Sequence, residues 1–418
     1  MRKKRNKDGT AERFENVEGG KVRILQITAF CGWGCTGRIA LGIHNVLVEQ
    51  EQQSIIAWGR INTAPDTVPT IKIGNKLDQQ VHGLYTRITD KCGYGSKYVT
   101  KKFIKEIDKY TPDLIQLHIL HGYYINLPIL FEYIKEKKIP VVWTFHDCWA
   151  FTGHCPYFDL VGCQKWETGC YQCQQKHHHP ASWIVDNSKG NWLAKKKLFT
   201  AIDNLTIVTP SEWLAKLVKK SFLQGCRIEV IHNGIDTQDF KPVYGDIFTN
   251  MGISNKKIIL GVSSTWSNSK GLKDFIQLNR ILPDEYIVVL VGVTKDQKRK
   301  LPKTIIGIER TENISELAEL YTAATVLVNP TYEDNYPTIN LEALACGTPV
   351  ITYKTGGSIE AIEQSGYGYI VNKGDIGGLL RSILEIPSKD KATLGSLMLD
   401  QKIIFNKYVK LYHDIVKK

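Results

Sequence analysis

Short apolar runs rich in Val, Ile and Leu alternate with amphipathic segments along most of the chain. Such runs are typical of strands buried in a parallel sheet, and the amphipathic segments between them are typical of covering helices. The alternation therefore predicts an α/β fold of two doubly wound, Rossmann-like parallel-sheet domains. The predicted strands are Lys21–Phe30, Ser54–Trp58, Asp113–Leu120, Val141–Phe145, Leu205–Ser211, Glu229–Asp236, Lys257–Ser264, Tyr286–Gly292, Ile305–Ile308, Thr325–Pro330 and Val350–Tyr353.

At 418 residues the chain exceeds what one hydrophobic core usually accommodates, so two domains are expected. A turn signal at Asn233-Gly234 followed by irregular sequence places the boundary near residue 237. The predicted division is a disordered basic tail (1–20), a first domain (21–236) with a Cys/His-rich insertion (148–179), a second domain (237–395) and a C-terminal helix that crosses back to the first domain (396–418).

Composition indicates a globular protein whose basic balance fits either anionic partners or merely a soluble basic surface. Hydrophobic residues make up 43% and charged residues 23%, and the net charge is +12. No apolar run is long enough to span a membrane, and no apolar stretch follows the basic N-terminus, so we expect a cytoplasmic protein. The segment Ser211–Phe222 carries Trp, Leu and Phe near one helical face beside three lysines, which fits either an interfacial membrane helix or, as we prefer, a helix packed on the sheet.

The stretch Thr325–Tyr353 reads as a strand, a polar loop, a helix and a second strand. Pro337 suits the first helical turn and Gly347 suits its end, so the loop leads into a helix N-terminus that favours an anion. Asp334 and Glu342 lie eight residues apart beside this anion site. Because carboxylates repel phosphate, their useful role is to accept hydrogen bonds from hydroxyl groups. Phosphate and hydroxyls together predict a sugar nucleotide, and the alternative is an ordinary βαβ unit with surface acids.

A glycine-rich turn follows the first strand and opens a helix. Gly32, Gly34 and Gly37 spell GxGxxG, the dinucleotide-binding fingerprint. The acid that should end the second strand is missing, because Ser54–Trp58 runs into Gly59 and Arg60. An NADP-dependent oxidoreductase could use Arg60 instead, so an NAD(P)-dependent oxidoreductase stays open as an alternative.

Several polar residues fall where strands end, which is where ligands of parallel sheets bind. His118, His121, His146 and Asp147 fall at the ends of two predicted strands, and Lys270 lies just before a predicted helix and beyond a strand end. That position suits Lys270 for a diphosphate. Each of these residues also has a structural alternative, as a hydrogen-bonded strand-end histidine or a solvated loop lysine.

The insertion 148–179 interrupts the strand–helix alternation and holds five of the ten cysteines. Clustered Cys and His without a secretory signal predict a metal site rather than disulfides. The predicted ligands of a structural zinc ion are Cys155, Cys163, Cys170 and Cys173, with His154 as a substitute for one of them. The alternatives are reduced, packed thiols or a nucleic-acid-binding zinc protein, and the strand–helix alternation argues against the latter.

Four segments resemble one enzyme family. The spacing Asp334–x7–Glu342 followed by ALACGTPV resembles the glycosyltransferase family 4 signature, in which two Glu normally stand at these positions. The loop that holds Gly34 and Gly37 resembles that family's GSTGRI-type loop, with Cys35 in place of Ser. The run TFHDCW resembles its strand-end His, and TGHC…C…CxxC resembles an insertion of a subgroup that makes bacterial surface polysaccharides.

The resemblance implies a retaining glycosyltransferase of GT-B architecture that transfers a sugar from a nucleoside-diphosphate sugar to a glycan or polyprenyl-diphosphate-linked oligosaccharide. It implies contact with the inner face of the cell membrane, no nucleic acid and no catalytic metal. A nucleotide-sugar epimerase or hydrolase of the same fold is the alternative. The implied side chains are His146 near the sugar, Lys270 at the diphosphate, Asp334 at the sugar hydroxyls and Glu342 at the ribose. Gly34 and Gly37 would lie at the donor phosphate, together with the backbone at Asn335, Tyr336, Pro337 and Thr338. The family has an Arg before this Lys that is missing here, and Arg310 would compensate for it.

Overall fold

The computed structural model describes residues 21–386 and 399–417. The predicted tail 1–20 and the end of the predicted second domain lie outside this range. The strands are β1 (Arg23–Cys31), β2 (Gln53–Asn62), β3 (Thr70–Lys72), β4 (Leu114–Leu117), β5 (Val141–Thr144), β6 (Leu205–Thr209), β7 (Arg227–Val230), β8 (Lys257–Val262), β9 (Tyr286–Val291), β10 (Ile305–Ile308), β11 (Val326–Asn329), β12 (Val350–Tyr353) and β13 (Gly368–Val371).

The helices lie between these strands, with a short 3-10 turn at Lys165–Glu167. They are α1 (Gly34–Glu49), α2 (Lys76–Thr89), α3 (Lys97–Tyr110), α4 (Leu127–Lys137), α5 (Ser188–Phe199), α6 (Glu212–Lys220), α7 (Ile247–Asn250), α8 (Leu272–Asn279), α9 (Lys295–Lys300), α10 (Ile314–Ala323), α11 (Thr338–Ala345), α12 (Glu360–Ser365), α13 (Ile376–Leu384) and α14 (Gln401–Val416).

Two parallel sheets organise the described residues. The first has the order β3-β2-β1-β4-β5-β6-β7, and the second has the order β10-β9-β8-β11-β12-β13. Neighbouring strands pair in parallel throughout both sheets. The predicted α/β class with two Rossmann-like sheets is confirmed. In each sheet the strand order reverses beside its first strand, between β1 and β4 and between β8 and β11, which is where ligands of such sheets bind.

Predicted and observed elements differ mainly at their ends. The predicted helix Leu127–Lys137 coincides with α4, whereas the predicted strand Asp113–Leu120 shortens to β4. The reason is visible in the hydrogen bonds: the carbonyl of His118 accepts the Trp143 indole N–H at 2.9 Å, and that of Ile119 accepts the Tyr124 hydroxyl at 2.8 Å. Side chains thus take carbonyls that a longer strand would present to its neighbour.

The C-terminal helix α14 packs against α1 under the first sheet, although the chain reaches it from the second sheet. Phe405, Tyr408 and Tyr412 are buried there with the apolar residues of α1. The Tyr412 hydroxyl donates to Gln116 Oε1 at 2.9 Å, which ties the helix to β4. The outgoing and returning chain segments run side by side, since the Ile235 N–H donates to the Leu399 carbonyl at 2.9 Å.

The helix α6 lies in the segment with two sequence interpretations. Leu214, Ala215 and Val218 are buried, and Trp213 and Leu217 pack against the same core. Its apolar face therefore points inward, as the preferred interpretation expects, and the interfacial interpretation of this segment is wrong. None of the helices in the described ranges combines the length and apolar character needed to cross a bilayer.

Candidate functional site

A cavity of about 260 Å³ lies between the two sheets, beyond the carboxyl ends of their strands. It brings together side chains from both halves of the chain, including seven of the eleven residues that the resemblance implies for the donor site. Its lining residues are Cys35, Thr36, His146, Tyr157, Pro210, Asn233, Val262, Ser263, Ser264, Lys270, Asn329, Asp334, Asn335, Tyr336, Pro337, Thr338 and Ile339.

Lys270 and Asp334 form an ion pair in this cavity, with Nζ 2.6 Å from Oδ2. Gly271 makes this approach possible. Its φ is +76°, and a Cβ atom there would lie 2.4 Å from the Pro330 carbonyl oxygen, so any other residue would push the lysine loop away from the end of β11. The Tyr332 N–H donates to the Ser269 carbonyl at 2.8 Å and fixes the two loops together.

The loop before α11 is held close to both sheets. Pro337 occupies the N-cap position and the helix begins at Thr338, so the first residues of α11, Thr338 and Ile339, line the cavity. Asn335 is already engaged, since its Oδ1 accepts the Ser211 hydroxyl at 2.6 Å and its Nδ2 donates to the Phe145 carbonyl at 3.5 Å. Its side chain therefore ties this loop to the first sheet.

Glu342 lies beside a second, smaller cavity of about 60 Å³ that shares the walls Cys35 and Thr338 with the first. It is only 4% exposed. Its Oε2 accepts the Tyr321 hydroxyl at 2.9 Å, and its Oε1 lies 3.8 Å from Arg38 Nη2, which reaches across from α1. Burial raises the pKa of Glu342, and the Arg38 guanidinium and the Tyr321 hydroxyl reduce that rise.

His146 lines the first cavity at the end of β5. Its Nε2 lies 3.1 Å from His118 Nδ1, and the His118 Nε2 lies 3.2 Å from Gln26 Oε1. Burial lowers the pKa of His146 to about 4, and burial together with the neighbouring His146 holds the pKa of His118 well below its usual value. Both rings are therefore neutral at pH 7, so His146 can offer a hydrogen bond to a ligand but not a positive charge.

Other predicted residues lie away from the two cavities. Gly34 and Gly37 shape the turn that presents Cys35 and Thr36, but neither glycine lines a cavity. Arg310 is exposed in the loop after β10 and also lines neither. The structure therefore does not place Arg310 where it could supplement Lys270.

The predicted zinc site does not form a metal-binding group. In residues 21–386 and 399–417, no three His, Cys, Asp or Glu side chains are grouped so that they could hold a metal ion. Cys155 hydrogen-bonds Cys173 and lowers the pKa of that thiol to about 7, while Cys170 Sγ accepts the Gly153 N–H at 3.1 Å. Zinc binding by Cys155, Cys163, Cys170 and Cys173 stays a prediction.

His154 is held by contacts at both ring nitrogens. Its Nδ1 lies 2.5 Å from Asp90 Oδ1, and its Nε2 lies 3.3 Å from the His178 carbonyl oxygen. Its role as a substitute zinc ligand stays a prediction. The neighbouring Lys195 is also buried, and its Nζ donates to the carbonyls of Trp149 and Thr152. These buried polar contacts attach the insertion to α5 and to the end of α2.

Three polar side chains that shape the site had not been singled out from the sequence. Arg38 and Tyr321 fix Glu342, and Tyr157 from the insertion lines the first cavity. The insertion also touches the second half of the chain, where the Leu160 N–H donates to Glu333 Oε1 at 3.0 Å. Only Arg38 had a local signal, as the first charged residue after the glycine-rich turn.

Two family models match the sequence of this chain. Residues 65–239 match the family described as Glycosyltransferase Family 4, and residues 256–388 match Glycosyl transferases group 1. The protein is a glycosyltransferase of this type. The first matched range covers β3 to β7 of the first sheet, and the second covers β8 to β13 of the second. This result favours the glycosyltransferase interpretation over the NAD(P)-dependent oxidoreductase. Arg60, on which that alternative depended, donates to the Gly122 carbonyl at 3.3 Å.

The glycosyltransferase is similar to curated proteins of polysaccharide and lipid-linked glycan synthesis. It is 26% identical over 91% of its length to a protein of Escherichia coli K12 named as the colanic acid biosynthesis glycosyl transferase WcaC, of which 94% is covered. It is also 26% identical over 49% of its length to the N,N'-diacetylbacillosaminyl-diphospho-undecaprenol alpha-1,3-N-acetylgalactosaminyltransferase of Campylobacter jejuni, of which 58% is covered.

Solved structures share the fold of this glycosyltransferase. Sucrose-phosphate synthase from Thermosynechococcus elongatus has a TM-score of 0.66 at 16% identity, over 94% of this chain and 99% of that one. The Anabaena protein Alr3699/HepE, solved in complex with UDP, has a TM-score of 0.63 at 15% identity, over 94% of this chain and 100% of that one. At these identities the similarity shows the GT-B fold alone.

Proposed function

We propose that the glycosyltransferase transfers a sugar, with retention of anomeric configuration, from a nucleoside-diphosphate sugar to a lipid-linked oligosaccharide or other growing glycan of a bacterial surface polysaccharide. The observation that carries the proposal is the pair of adjoining cavities. One combines a cation, a carboxylate and the start of a helix, and the other holds the buried acid Glu342. The named activities of the two curated relatives support the acceptor class.

The two cavities suggest how the donor would lie. The sugar would occupy the larger one, where Asp334 accepts its hydroxyl hydrogen bonds and His146 contacts it from the first sheet. The ribose would occupy the smaller one and hydrogen-bond Glu342. The shared wall at Cys35 and Thr338 would then border the diphosphate, with Lys270 on one side and Arg38 on the other.

We propose that Arg38, instead of Arg310, is the second cation at the diphosphate. Its side chain is half exposed and lies near the shared wall, where its charge acts on both Cys35 and Glu342. A ribose that hydrogen-bonds Glu342 would compete with this loose 3.8 Å ion pair and release the guanidinium toward phosphate.

The cavity favours transfer without a covalent glycosyl–enzyme intermediate. Retaining glycosidases need two carboxyl groups about 5–5.5 Å apart across the scissile bond. Within the described residues, Asp334 is the one carboxylate that lines the larger cavity, and Lys270 holds it in an ion pair. We therefore propose that the bond from the sugar C1 to the diphosphate oxygen breaks as the acceptor oxygen bonds C1, and that the acceptor proton moves to the departing diphosphate.

Donor binding tests the proposal. We expect thermal-shift and calorimetric titrations to show binding of one nucleoside diphosphate, and the Glu342→Gln variant to bind it about 10²-fold more weakly. The amide keeps the size of the side chain and can still accept the Tyr321 hydroxyl, so the fold should persist, but it loses the charged acceptor for the ribose hydroxyls.

The matched control is Glu363→Gln, on the exposed face of α12. It should leave nucleotide affinity unchanged. Equal affinity in the Glu342→Gln variant would remove Glu342 from the site, and a shift with NADPH alone would restore the oxidoreductase alternative. Turnover of the donor that requires no acceptor would instead indicate a hydrolase or epimerase.

Metal analysis tests the cysteine prediction separately. If the four cysteines of the insertion hold structural zinc, the purified protein contains about one zinc per chain. Replacing Cys170 and Cys173 together by serine should release it, whereas Cys226→Ser, outside the insertion, should not. Metal-free protein of normal stability would refute the zinc site.

A further inference from the structure

The helix α2 directs its apolar side chains outward. Its buried residues are His82, Gly83 and Thr86, which are polar or small. The large apolar residues on the opposite side are exposed: Leu77 (67%), Val81 (60%), Leu84 (49%), Tyr85 (36%) and Ile88 (43%). A surface helix normally buries its apolar stripe, so this inverted arrangement needs a partner that covers it.

A neighbouring loop extends the same apolar surface. Trp183, Ile184 and Val185 are exposed. The loop lies against the end of α2, since the Trp183 N–H donates to the Arg87 carbonyl at 2.7 Å and the Arg87 guanidinium lies 5.6 Å from the Trp183 ring centre. We call the outward residues of α2 together with residues 183–185 the α2 surface.

Positive charge surrounds the α2 surface. The first turn of α3 lies beside α2, because the Ser96 hydroxyl lies 2.8 Å from the ring nitrogen of His82. The nearby acids are committed elsewhere: Asp78 caps α2, and Asp186 accepts the N–H groups of Cys173 and Ser188. The exposed basic residues on α2, on the connection to α3 and on α3 as far as residue 105 are Lys76, Lys91, Lys97, Lys101, Lys102 and Lys105.

We infer that the α2 surface docks on an anionic lipid bilayer. An apolar helical face with a large aromatic residue and a lysine rim is the arrangement that inserts at the boundary between headgroups and acyl chains. A protein partner of ordinary composition would have to provide both an apolar groove and an acidic border, whereas an anionic membrane presents both everywhere.

The position of the α2 surface connects it to the cleft. The ring of His82, on the inner side of α2, packs 5.8 Å from Tyr123, and Tyr123 packs 5.8 Å from His179. His179 in turn lies 5.7 Å from His121, which pairs with Asp147 beside His146. This chain of contacts connects the inner side of α2 to the strand ends that border the cleft. The use of this docking to reach a lipid-linked acceptor rests on the proposed function, but the docking itself does not.

Vesicle binding tests the inference on the full chain. Wild-type protein should bind vesicles of phosphatidylcholine mixed with phosphatidylglycerol, and should bind pure phosphatidylcholine vesicles more weakly. The double variant Leu84→Gln with Ile88→Gln should bind the anionic vesicles at least about tenfold more weakly. The matched control is Ile281→Gln with Leu384→Gln, which changes two equally exposed apolar residues of the second half.

Three outcomes would overturn the inference. The first is no binding of wild-type protein to anionic vesicles, and the second is equal binding by the α2 double variant. The third is a concentration-dependent dimer that this variant abolishes without any vesicle binding, which would assign the α2 surface to a second copy of the chain. Nucleotide affinity measured on the same variants should stay unchanged, so a failure of docking is separable from a failure of the donor site.

Discussion

Replacing Lys270 by alanine is expected to lower kcat by about 10²–10³-fold, the effect of removing one positioned group that stabilises developing charge. Among the described residues, Lys270 is the one lysine or arginine that lines the larger cavity. As the bond from C1 to the diphosphate breaks, negative charge grows on an oxygen that the lysine can reach from a loop anchored at the end of β11. The variant also leaves Asp334 without its ion-pair partner.

The measurement is steady-state turnover of the nucleotide sugar with acceptor present, alongside nucleotide affinity. Lys273→Ala is the matched control, because Lys273 is exposed on the helix that follows the same loop. It should retain full activity. A Lys270→Ala enzyme within about fivefold of the wild-type kcat would mean that Lys270 does not neutralise the leaving group.

The parts of the site that the sequence predicts are those built from one continuous stretch. Asp334 and the start of α11 belong to a single strand–loop–helix unit, so their pattern shows them together. Lys270 and His146 each follow a strand, and parallel strands deliver all their carboxyl ends to one edge of a sheet. Local patterns were therefore sufficient to place the larger cavity.

Contacts between distant segments could not be predicted in this way. Arg38 meets Glu342 only because two sheets face each other across a cleft. The sequence offered His154 as a substitute zinc ligand, but its contact with Asp90, which lies 64 residues earlier, had no local signal. Periodicity likewise reports that a helix such as α2 is amphipathic, but not which of its faces turns toward the protein.

The second large effect concerns stability rather than chemistry. His154→Ala should lower the free energy of unfolding by about 3–5 kcal/mol, the usual cost of removing one partner from a buried ion pair. Both side chains are 1% exposed. Their mutual hydrogen bond raises the pKa of His154 against the opposing effect of burial, which is the larger single influence. In the variant, Asp90 would keep the hydrogen bond that its Oδ2 accepts from the Asn187 N–H but would lose the buried hydrogen-bond partner of its Oδ1.

Thermal unfolding measures this effect, and a loss of this size corresponds to a fall in Tm on the order of 10 °C. The control is Lys257→Ala, which breaks an ion pair of similar length, 2.7 Å, on the exposed surface of the second sheet, where water screens the charges. Its Tm should change little. If His154→Ala also left the Tm unchanged, the insertion would not depend on Asp90 for its attachment. The insertion supplies Tyr157 to the larger cavity and Leu160 to the contact with Glu333. A destabilised insertion should therefore also weaken the contact between the two halves of the chain.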